Sequence, residues 1–321
     1  MSSSCGSCAS KSEGCGSGPS QADVQAHIAQ QENEIKTSLG KIKNKILVMS
    51  GKGGVGKSTV SANLALGLAN RGYKVGLMDV DLHGPDICRM LNLDEKLRDT
   101  KLKDGELIPL MRVGENLKVI SLEYMMEDRD DPIIWRGPLK IQAIRQFIAD
   151  MDWGELDYLV IDAPPGTGDE PLTIADTIKD AQALIVTTPQ NVALADVRKS
   201  INFCKHVKMR IVGLVENMSG LVCPHCKNVV EVFKSGGGEQ TAKDFNINFL
   251  GKIPIDPMVV IGGDDGNPYL SAKNDSPAVM AFAGLLDNVE KNSAATPASL
   301  ETTGGCACGG TCSPESDCNC S

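Results

Sequence analysis

The fold of this chain is decided by Ser50-Gly51-Lys52-Gly53-Gly54-Val55-Gly56-Lys57-Ser58-Thr59. An apolar run at 46–49 precedes this stretch and an Ala/Leu-rich segment at 62–69 follows it, which predicts a strand, a glycine-rich loop and a helix. That order is the context of a phosphate-binding P-loop, because the glycines let backbone N–H groups turn toward an anion at a helix N-terminus. The motif predicts that ATP binds along 51–59, with Lys57 on the β- and γ-phosphates and the Ser58 hydroxyl on Mg²⁺. A glycine-rich turn that opens an ordinary helix is the alternative, and the complete motif argues against it.

Carboxylates follow two of the other apolar runs. Asp79 and Asp81 lie in the segment 77–86, and Asp162 follows four apolar residues at the start of the segment 160–169. Phosphoryl transfer needs a carboxylate near Mg²⁺ and a group that orients the attacking water. Asp162 fits the first role. Asp79 and Asp81 are further candidates for positions near the metal and near the attacking water. The alternative is that all three are solvated residues at the ends of strands.

Strands and helices alternate in the predictions along most of the chain. The predicted strands cover 45–49, 75–79, 117–122, 158–162, 183–188, 211–217 and 249–253. The predicted helices cover 58–70, 139–150, 171–178, 193–207, 237–245 and 277–291. Several strands are continuous apolar runs, which is typical of parallel strands covered on both faces. The pattern predicts an α/β fold with a doubly wound, mostly parallel sheet and a ligand site at the carboxyl ends of its strands.

Composition divides the chain into four parts. Residues 1–20 form a Cys/Ser/Gly-rich head, 21–44 a polar lead-in with a loosely docked helix, 45–292 the P-loop ATPase domain, and 293–321 a Cys-rich tail. Head and tail have too little apolar surface to fold alone and are expected to be flexible.

Charge and hydropathy limit the partners that we expect. The 321 residues carry a net charge of −9, which argues against broad binding to nucleic acid or to an anionic membrane. No apolar run is long enough to span a bilayer, and the N-terminus lacks an apolar signal region, so the chain is predicted to be cytoplasmic. The helix predicted at 277–291 has an apolar stripe but few basic residues opposite it, so core packing is favoured over membrane binding.

A Cys-x-x-Cys pair supplies the second informative motif. Cys223 and Cys226 are placed by the spacing on one tight turn, where two thiolates could share a metal or cluster, with His225 shaping the turn. A zinc ribbon needs a second pair about 15–20 residues away, which the sequence does not have. A two-fold dimer would complete four ligands, and a shared [4Fe–4S] cluster is the economical solution. A redox pair of the thioredoxin type is the alternative. Cys88 and Cys204 are expected to be buried as small apolar side chains.

Several motifs occur together and in order, and together they carry a resemblance. They are the loop with Lys52, Asp79-Val80-Asp81-Leu82-His83-Gly84-Pro85, Trp135-Arg136-Gly137-Pro138, Asp162-Ala163-Pro164-Pro165-Gly166-Thr167-Gly168-Asp169, Glu216-Asn217-Met218-Ser219 and Cys223-Pro224-His225-Cys226. The extra lysine after the first glycine resembles the deviant Walker A loop of the MinD/ParA class. With the other motifs, residues 40–290 resemble the Mrp/ApbC family of iron–sulfur cluster carrier ATPases.

The resemblance implies a homodimeric ATPase that holds a cluster between its subunits and delivers it to apo iron–sulfur proteins. By matching position, Lys52 would reach the nucleotide of the partner subunit, Asp81 would position the attacking water, and Asn217 would contact adenine. With Lys57 these make the predicted catalytic set Lys52, Lys57 and Asp81. Cys223 and Cys226 would be the cluster ligands.

Three other functions fit parts of the sequence. A positioning ATPase would need a basic surface or a membrane-binding helix, a reductase of the nitrogenase-iron-protein type would space its cluster cysteines far apart, and a metallochaperone would not hydrolyse ATP. The terminal cysteines, which depart from the four-cysteine head of eukaryotic relatives, could bind further metal or no metal: Cys5, Cys8, Cys15, Cys306, Cys308, Cys312, Cys318 and Cys320.

Overall fold

A mostly parallel sheet organises the structure. Its strands are β1 (Ile42–Ser50), β2 (Val75–Asp79), β3 (Met111–Val113), β4 (Leu117–Ser121), β5 (Leu156–Asp162), β6 (Gln182–Thr187), β7 (Arg210–Glu216) and, later in the chain, Phe249–Lys252. The spatial order is Phe249–Lys252, β7, β6, β1, β5, β2, β4, β3, and only β3 runs antiparallel to its neighbour. The predicted fold class is therefore confirmed.

The structure is a computed structural model that describes residues 21–81, 84–93, 107–125, 137–223, 225–268, 270 and 276–293. The predictions for the head, for the tail beyond Ser293 and for all the terminal cysteines lie outside the described residues. So do His83, Trp135, Arg136 and Pro224 of the motifs.

Helices cover both faces of the sheet. They are α1 (Gln21–Leu39), α2 (Lys57–Asn70), α3 (Ile87–Met90), α4 (Gly137–Ala149), α5 (Asp169–Thr177), α6 (Asn191–His206), α7 (Gly237–Phe245), α8 (Pro257–Asp264) and α9 (Pro277–Ser293). One apolar core joins α2 and α9 to the sheet, and the other joins α1, α4, α5, α6 and α7 to its opposite face. Two cores on one sheet require strands that are apolar on both sides, which explains their continuous apolar runs.

The last helix packs into the core, as the sequence predicted. Phe282, Leu285 and Val289 of α9 are buried and belong to the core that α9 shares with α2. Met280, which the apolar stripe included, is instead 64% exposed because it lies on the opposite side of the helix. None of the helices in the described ranges combines the length and apolarity that crossing a bilayer demands.

The structure contains several short helices and strands that the sequence did not predict. The sequence analysis missed β3, α3, α8 and a hairpin of two-residue strands, β8 (Leu221–Val222) and β9 (Val229–Val230); the strand Phe249–Lys252 is accordingly β10. Each of these elements has at most eight residues, which is too short for a hydrophobic period to be recognised in the sequence. β1 also begins at Ile42, three residues before the prediction, because its polar start still pairs with β5.

The strand order brings the predicted site together. β1 lies between β5 and β6, and β2 lies on the other side of β5. In this register Val48 is opposite Asp162, and Asp162 is opposite Asp79. The P-loop after β1 and the carboxylates after β5 and β2 therefore meet at one edge, as parallel pairing requires.

Candidate nucleotide and metal-cluster sites

The P-loop is shaped by close backbone approaches that only glycine allows. Gly56 has φ +79° at the N-cap of α2, and a Cβ there would collide with the Asn217 side-chain amide. At Gly51 a Cβ would collide with the backbone of Asp196 in α6. The Gly166 N–H donates to the Ser50 carbonyl at 2.8 Å, which joins the loop after β5 to the P-loop. The glycines of the motif thus serve packing as well as anion binding.

Lys57 is the centre of the charged site. Its Nζ lies 2.9 Å from Asp162 Oδ1 and 3.2 Å from Asp81 Oδ2, and its side chain is 6% exposed. Burial opposes the charged ammonium, but the charges of Asp162 and Asp81 outweigh burial and raise the pKa of Lys57 above its ordinary value. The predicted phosphate lysine is therefore held as a cation between two of the predicted carboxylates.

Asp79 lies opposite Asp162 on the neighbouring strand and is fully buried. Its oxygens accept from the Asp81 backbone N–H and the Ser121 hydroxyl, each at 3.0 Å. Burial and then the charge of Asp162 raise the pKa of Asp79 well above its usual value, against the opposing hydrogen bonds and Lys57. Asp79 thus fixes the backbone of Asp81. The negative charge of the buried Asp79 carboxylate lowers the stability of the folded protein.

We expect Asp79→Asn to raise the unfolding temperature near neutral pH. The amide can accept from the Asp81 N–H and donate to Ser121 without placing a charge in the core. Because folding raises the pKa of Asp79, wild-type stability falls as pH rises from the unfolded-state pKa to the folded one, so the advantage should vanish at acidic pH. Thermal unfolding as a function of pH tests this, with the exposed Asp176→Asn as control; an unfolding temperature that is lower or unchanged at every pH would contradict it.

The residues present fit a magnesium ion. Asp162 Oδ1 accepts from Ser61 at 2.6 Å and pairs with Lys57, whereas the buried Oδ2 has no hydrogen-bond partner in the described residues. Ser58 lines a cleft together with Lys57 and Asp81. Mg²⁺ is commonly held by one or two protein groups together with phosphate oxygens and water. Ser58 and Asp162 would hold it, and it would neutralise charge on the β- and γ-phosphates.

Two adjoining clefts run along the P-loop. The first, about 380 Å³, is lined by residues 52–54 and 56–59 with Asp81 and Pro165. The second, about 310 Å³, shares Gly56 and Thr59 with the first and has mainly apolar walls. Asn217 lines the second cleft, together with 253–256, and its amide donates to the Val55 carbonyl at 2.9 Å. A charged cleft that continues into an apolar one suits a nucleotide, with phosphates in the first and the base in the second.

Cys223 and Cys226 lie in the loop between β8 and β9. The Cys223 N–H donates to the Asn228 carbonyl and the Lys227 N–H to the Cys223 carbonyl, each at 2.9 Å. Hydrogen bonds from the backbone N–H groups of Cys226 and His225, in that order of effect, lower the pKa of the Cys223 thiol. Cys226 is exposed. Within the described ranges no group of three or more His, Cys, Asp or Glu side chains is arranged to hold a metal.

The other two described cysteines behave as predicted. Cys88 and Cys204 are fully buried, and burial raises the pKa of Cys204 to about 12. Neither is suited to bind metal as a thiolate.

Glu216 belongs to one of the quoted motifs, but the sequence did not predict its structural role. This buried carboxylate accepts from Ser219 Oγ at 2.6 Å, from the Gly236 N–H at 2.8 Å and from the Gly238 N–H. It therefore joins the two ends of the excursion that carries the cysteines. The available signal was a glutamate at the end of an apolar strand followed, 20 residues on, by Gly236-Gly237-Gly238.

Comparison with known proteins agrees with this geometry. The sequence model of the family described as "ParA: NUBPL iron-transfer P-loop NTPase" matches residues 41–290. The chain belongs to this family. The predicted resemblance to iron–sulfur carrier ATPases is thereby confirmed.

Three similar proteins have names that refer to iron–sulfur clusters. The cytosolic Fe-S cluster assembly factor NUBP2 homolog of Dictyostelium discoideum is 46% identical over 262 residues, which is 80% of this chain and 98% of that protein. The iron-sulfur cluster carrier protein of Methanocaldococcus jannaschii is 47% identical over 82% of this chain and 90% of its own length. The cytosolic Fe-S cluster assembly factor CFD1 of Kluyveromyces lactis is 48% identical over 78% of this chain and 92% of its own length.

Solved structures of similar proteins contain nucleotide. A nucleotide-binding protein from Archaeoglobus fulgidus in complex with ADP superposes with a TM-score of 0.66 and 36% identity, covering 78% of this chain and 96% of that one. The septum site-determining protein MinD of Pyrococcus horikoshii, complexed with Mg-ADP, superposes with a TM-score of 0.56 and 26% identity, covering 78% of this chain and 96% of that one. The MinD/ParA-like P-loop NTPase fold is therefore established for this chain.

Proposed function

We propose that this chain is an ATP-hydrolysing carrier that holds a [4Fe–4S] cluster between two subunits and delivers it to apo iron–sulfur proteins. One observation carries the proposal: a single chain combines a nucleotide cradle with a two-cysteine turn whose Cys226 is exposed, and the described residues hold no group of three or more side chains arranged to bind a metal. Two thiolates cannot complete the four ligands of such a cluster, but a two-fold dimer supplies four.

Different residues of the nucleotide site bind phosphate, hold Mg²⁺ and position the attacking water. Lys57 binds the β- and γ-phosphates, and Asp162 with Ser58 holds Mg²⁺. Asp81, fixed by Asp79 and 3.2 Å from Lys57, positions the attacking water once the phosphates engage Lys57. Lys52 lines the mouth of the cleft and acts on the nucleotide of the partner subunit. Because hydrolysis then requires a dimer to form, we expect slow turnover.

The cluster site has a surface suited to a second subunit. Val229 and Val230 follow the cysteine turn and are 65% and 49% exposed. Adjacent exposed apolar side chains mark surfaces that associate. A dimer that buries them would also shield the cluster from water. The proposal includes no nucleic-acid or membrane partner, in keeping with the net charge of −9.

The relatives' names suggest where this carrier acts. The relatives from Dictyostelium and Kluyveromyces are named as cytosolic assembly factors. We therefore place the proposed activity in the cytoplasm.

Cluster transfer tests the proposal directly. The protein is reconstituted anaerobically with iron and sulfide, its cluster type is read by Mössbauer spectroscopy, and it is mixed with the apo form of a [4Fe–4S] enzyme. We expect a [4Fe–4S] signal and recovery of the recipient's activity at a rate that depends on ATP. A protein that binds no cluster, or whose cluster never reaches the recipient, would refute the carrier function.

The role of Lys52 across the dimer predicts complementation between inactive variants. Lys52→Ala and Asp81→Ala should each be nearly inactive alone. In a mixed dimer, one site keeps its own Asp81 and receives the intact Lys52 of the other chain, so an equal mixture should recover about a quarter of wild-type ATPase activity. That figure follows because roughly half of the dimers are mixed and one site of each mixed dimer is complete.

The measurement is steady-state phosphate release after the two variants have been mixed and allowed to exchange subunits. Each variant at the same total concentration serves as its control. If Lys52 acted within its own chain, no mixed dimer would contain a complete site, and the mixture would be as inactive as its components.

A further inference from the structure

The two cysteines belong to an excursion that leaves the sheet after β7 and returns at α7. We call residues 219–236 the cysteine hairpin; it contains β8, the cysteine turn and β9. Its two ends are joined at Glu216, which accepts hydrogen bonds from Ser219 at the start and Gly236 at the end. The hydroxyls of Ser219 and Ser235 are also 3.1 Å apart. The hairpin therefore has a closed neck, so a displacement of one strand is passed to the other.

The segment that follows β9 in the hairpin lines the second, mainly apolar cleft, which we call the base cleft. Val232 and Phe233, six and seven residues after Cys226, line this cleft together with Asn217 and Val260. The near strand touches the opposite wall, since Leu221 pairs with Ile255 and the Ile255 N–H donates to the Gly220 carbonyl at 2.7 Å. The beginning of the hairpin and the segment after β9 thus both contact the walls of a single cavity.

The strand that leads into the hairpin also contacts the P-loop. Asn217 follows Glu216 directly, and its side chain holds the Val55 carbonyl. Neighbouring residues at the end of β7 therefore connect the phosphate loop on one side and the hairpin neck on the other. This arrangement gives the nucleotide a short path to the cysteines within one chain.

We propose that the base of the bound nucleotide packs against Phe233 and Val232 and thereby fixes the cysteine hairpin in the same subunit. Phe233 is 38% exposed and Val232 47% exposed, so both have apolar surface left for an aromatic ring to cover. The base, and not the phosphates, then controls how freely Cys223 and Cys226 move. This inference rests on the proposed function. The contact between base and hairpin is the route by which nucleotide binding affects the cluster ligands.

The reactivity of the cysteines measures this coupling without any cluster. Reduced, cluster-free full-length protein is treated with iodoacetamide, and the modification rate of each cysteine is followed by peptide mass spectrometry. Cys88 and Cys204, both buried, report any global opening of the fold. The probes are saturating Mg-ADP, which fills both clefts, and Mg-pyrophosphate, which fills only the phosphate cleft.

We expect Mg-ADP to slow modification of Cys223 and Cys226 about fivefold or more, and Mg-pyrophosphate to have little effect. In Phe233→Ala, at saturating ADP, protection should largely disappear, while Val192→Ala, which removes an exposed apolar side chain elsewhere, should behave as wild type. Glu216→Gln should still bind ADP but lose protection, because its amide cannot accept both glycine N–H groups at the neck. Protection should be independent of protein concentration.

Equal protection by pyrophosphate and ADP would overturn the inference, as would full protection in Phe233→Ala or protection that grows with protein concentration. These outcomes leave the carrier function untouched. Conversely, failure to bind or transfer a cluster would refute the carrier function while the alkylation result stood.

Discussion

Lys57→Ala is expected to reduce ATP hydrolysis by about a thousandfold or more, because it removes the cation that faces the transferred phosphate. It should also lower the unfolding temperature. In the wild type the Lys57 ammonium compensates Asp162 and Asp81, and its loss leaves these carboxylates without their principal counter-charge. Steady-state phosphate release and thermal unfolding measure the two effects.

Lys179→Ala is the matched control, since Lys179 is exposed and its ammonium lies 3.2 Å from the exposed Asp176 carboxylate. It should leave both measurements near wild type. A Lys57→Ala protein that hydrolyses ATP at a comparable rate would show that this cleft is not the site of phosphoryl transfer. It would also favour the metallochaperone alternative, which needs no hydrolysis.

Replacing both Cys223 and Cys226 with alanine is expected to abolish cluster delivery while leaving nucleotide binding intact. The cysteine turn lies outside the P-loop and contributes no side chain to the phosphate cleft. Reconstituted double variant should therefore lose the iron bound at the subunit interface and should not activate an apo-enzyme. The measurement is bound iron and sulfide per chain, followed by the transfer assay.

His225→Ala is the control for this experiment, because it alters the same exposed turn without removing a thiolate. It should retain the cluster. If the cysteine double variant kept all of its iron and its delivery activity, the terminal cysteines would become the cluster ligands and the shared site would be wrong.

The sequence predicted that Lys57, Asp81 and Asp162 lie together, and the structure places them in contact. Parallel strands align their carboxyl ends, so residues after β1, β2 and β5 must meet once these strands are recognised as neighbours. Continuous apolar runs identified the strands, and the complete glycine motif identified which edge binds phosphate. The contact of Lys57 with Asp81 and Asp162 follows from these two facts.

The surroundings of the cysteines could not be predicted in the same way. β8 and β9 have two residues each and exist because they pair with one another and because Leu221 meets Ile255. Glu216 acts through backbone N–H groups 20 and 22 residues away, and backbone donors leave no residue-type signature. Likewise α8 carries no buried residue, so no apolar periodicity marked it. The first two features depend on contacts between segments, whereas α8 begins with a local N-cap in which Asp256 accepts from the Met258 N–H.

The family comparison and the residue-level reasoning support different parts of this account. The match over residues 41–290 establishes a P-loop NTPase of the NUBPL type. The two cysteines on one turn, the ammonium between two carboxylates and the hairpin beside the second cleft come from the arrangement of side chains in this chain. The sharing of one cluster by two subunits is the claim on which the proposed function depends.

The most direct test is the cluster content of a full-length variant whose terminal cysteines are all serine, at positions 5, 8, 15, 306, 308, 312, 318 and 320. Native mass spectrometry of the reconstituted protein gives the number of chains and clusters in each species. The account predicts a dimer that carries one [4Fe–4S] cluster per two chains, and its loss when Cys223 and Cys226 are also replaced. A single chain that carries a complete cluster through these two cysteines would contradict it.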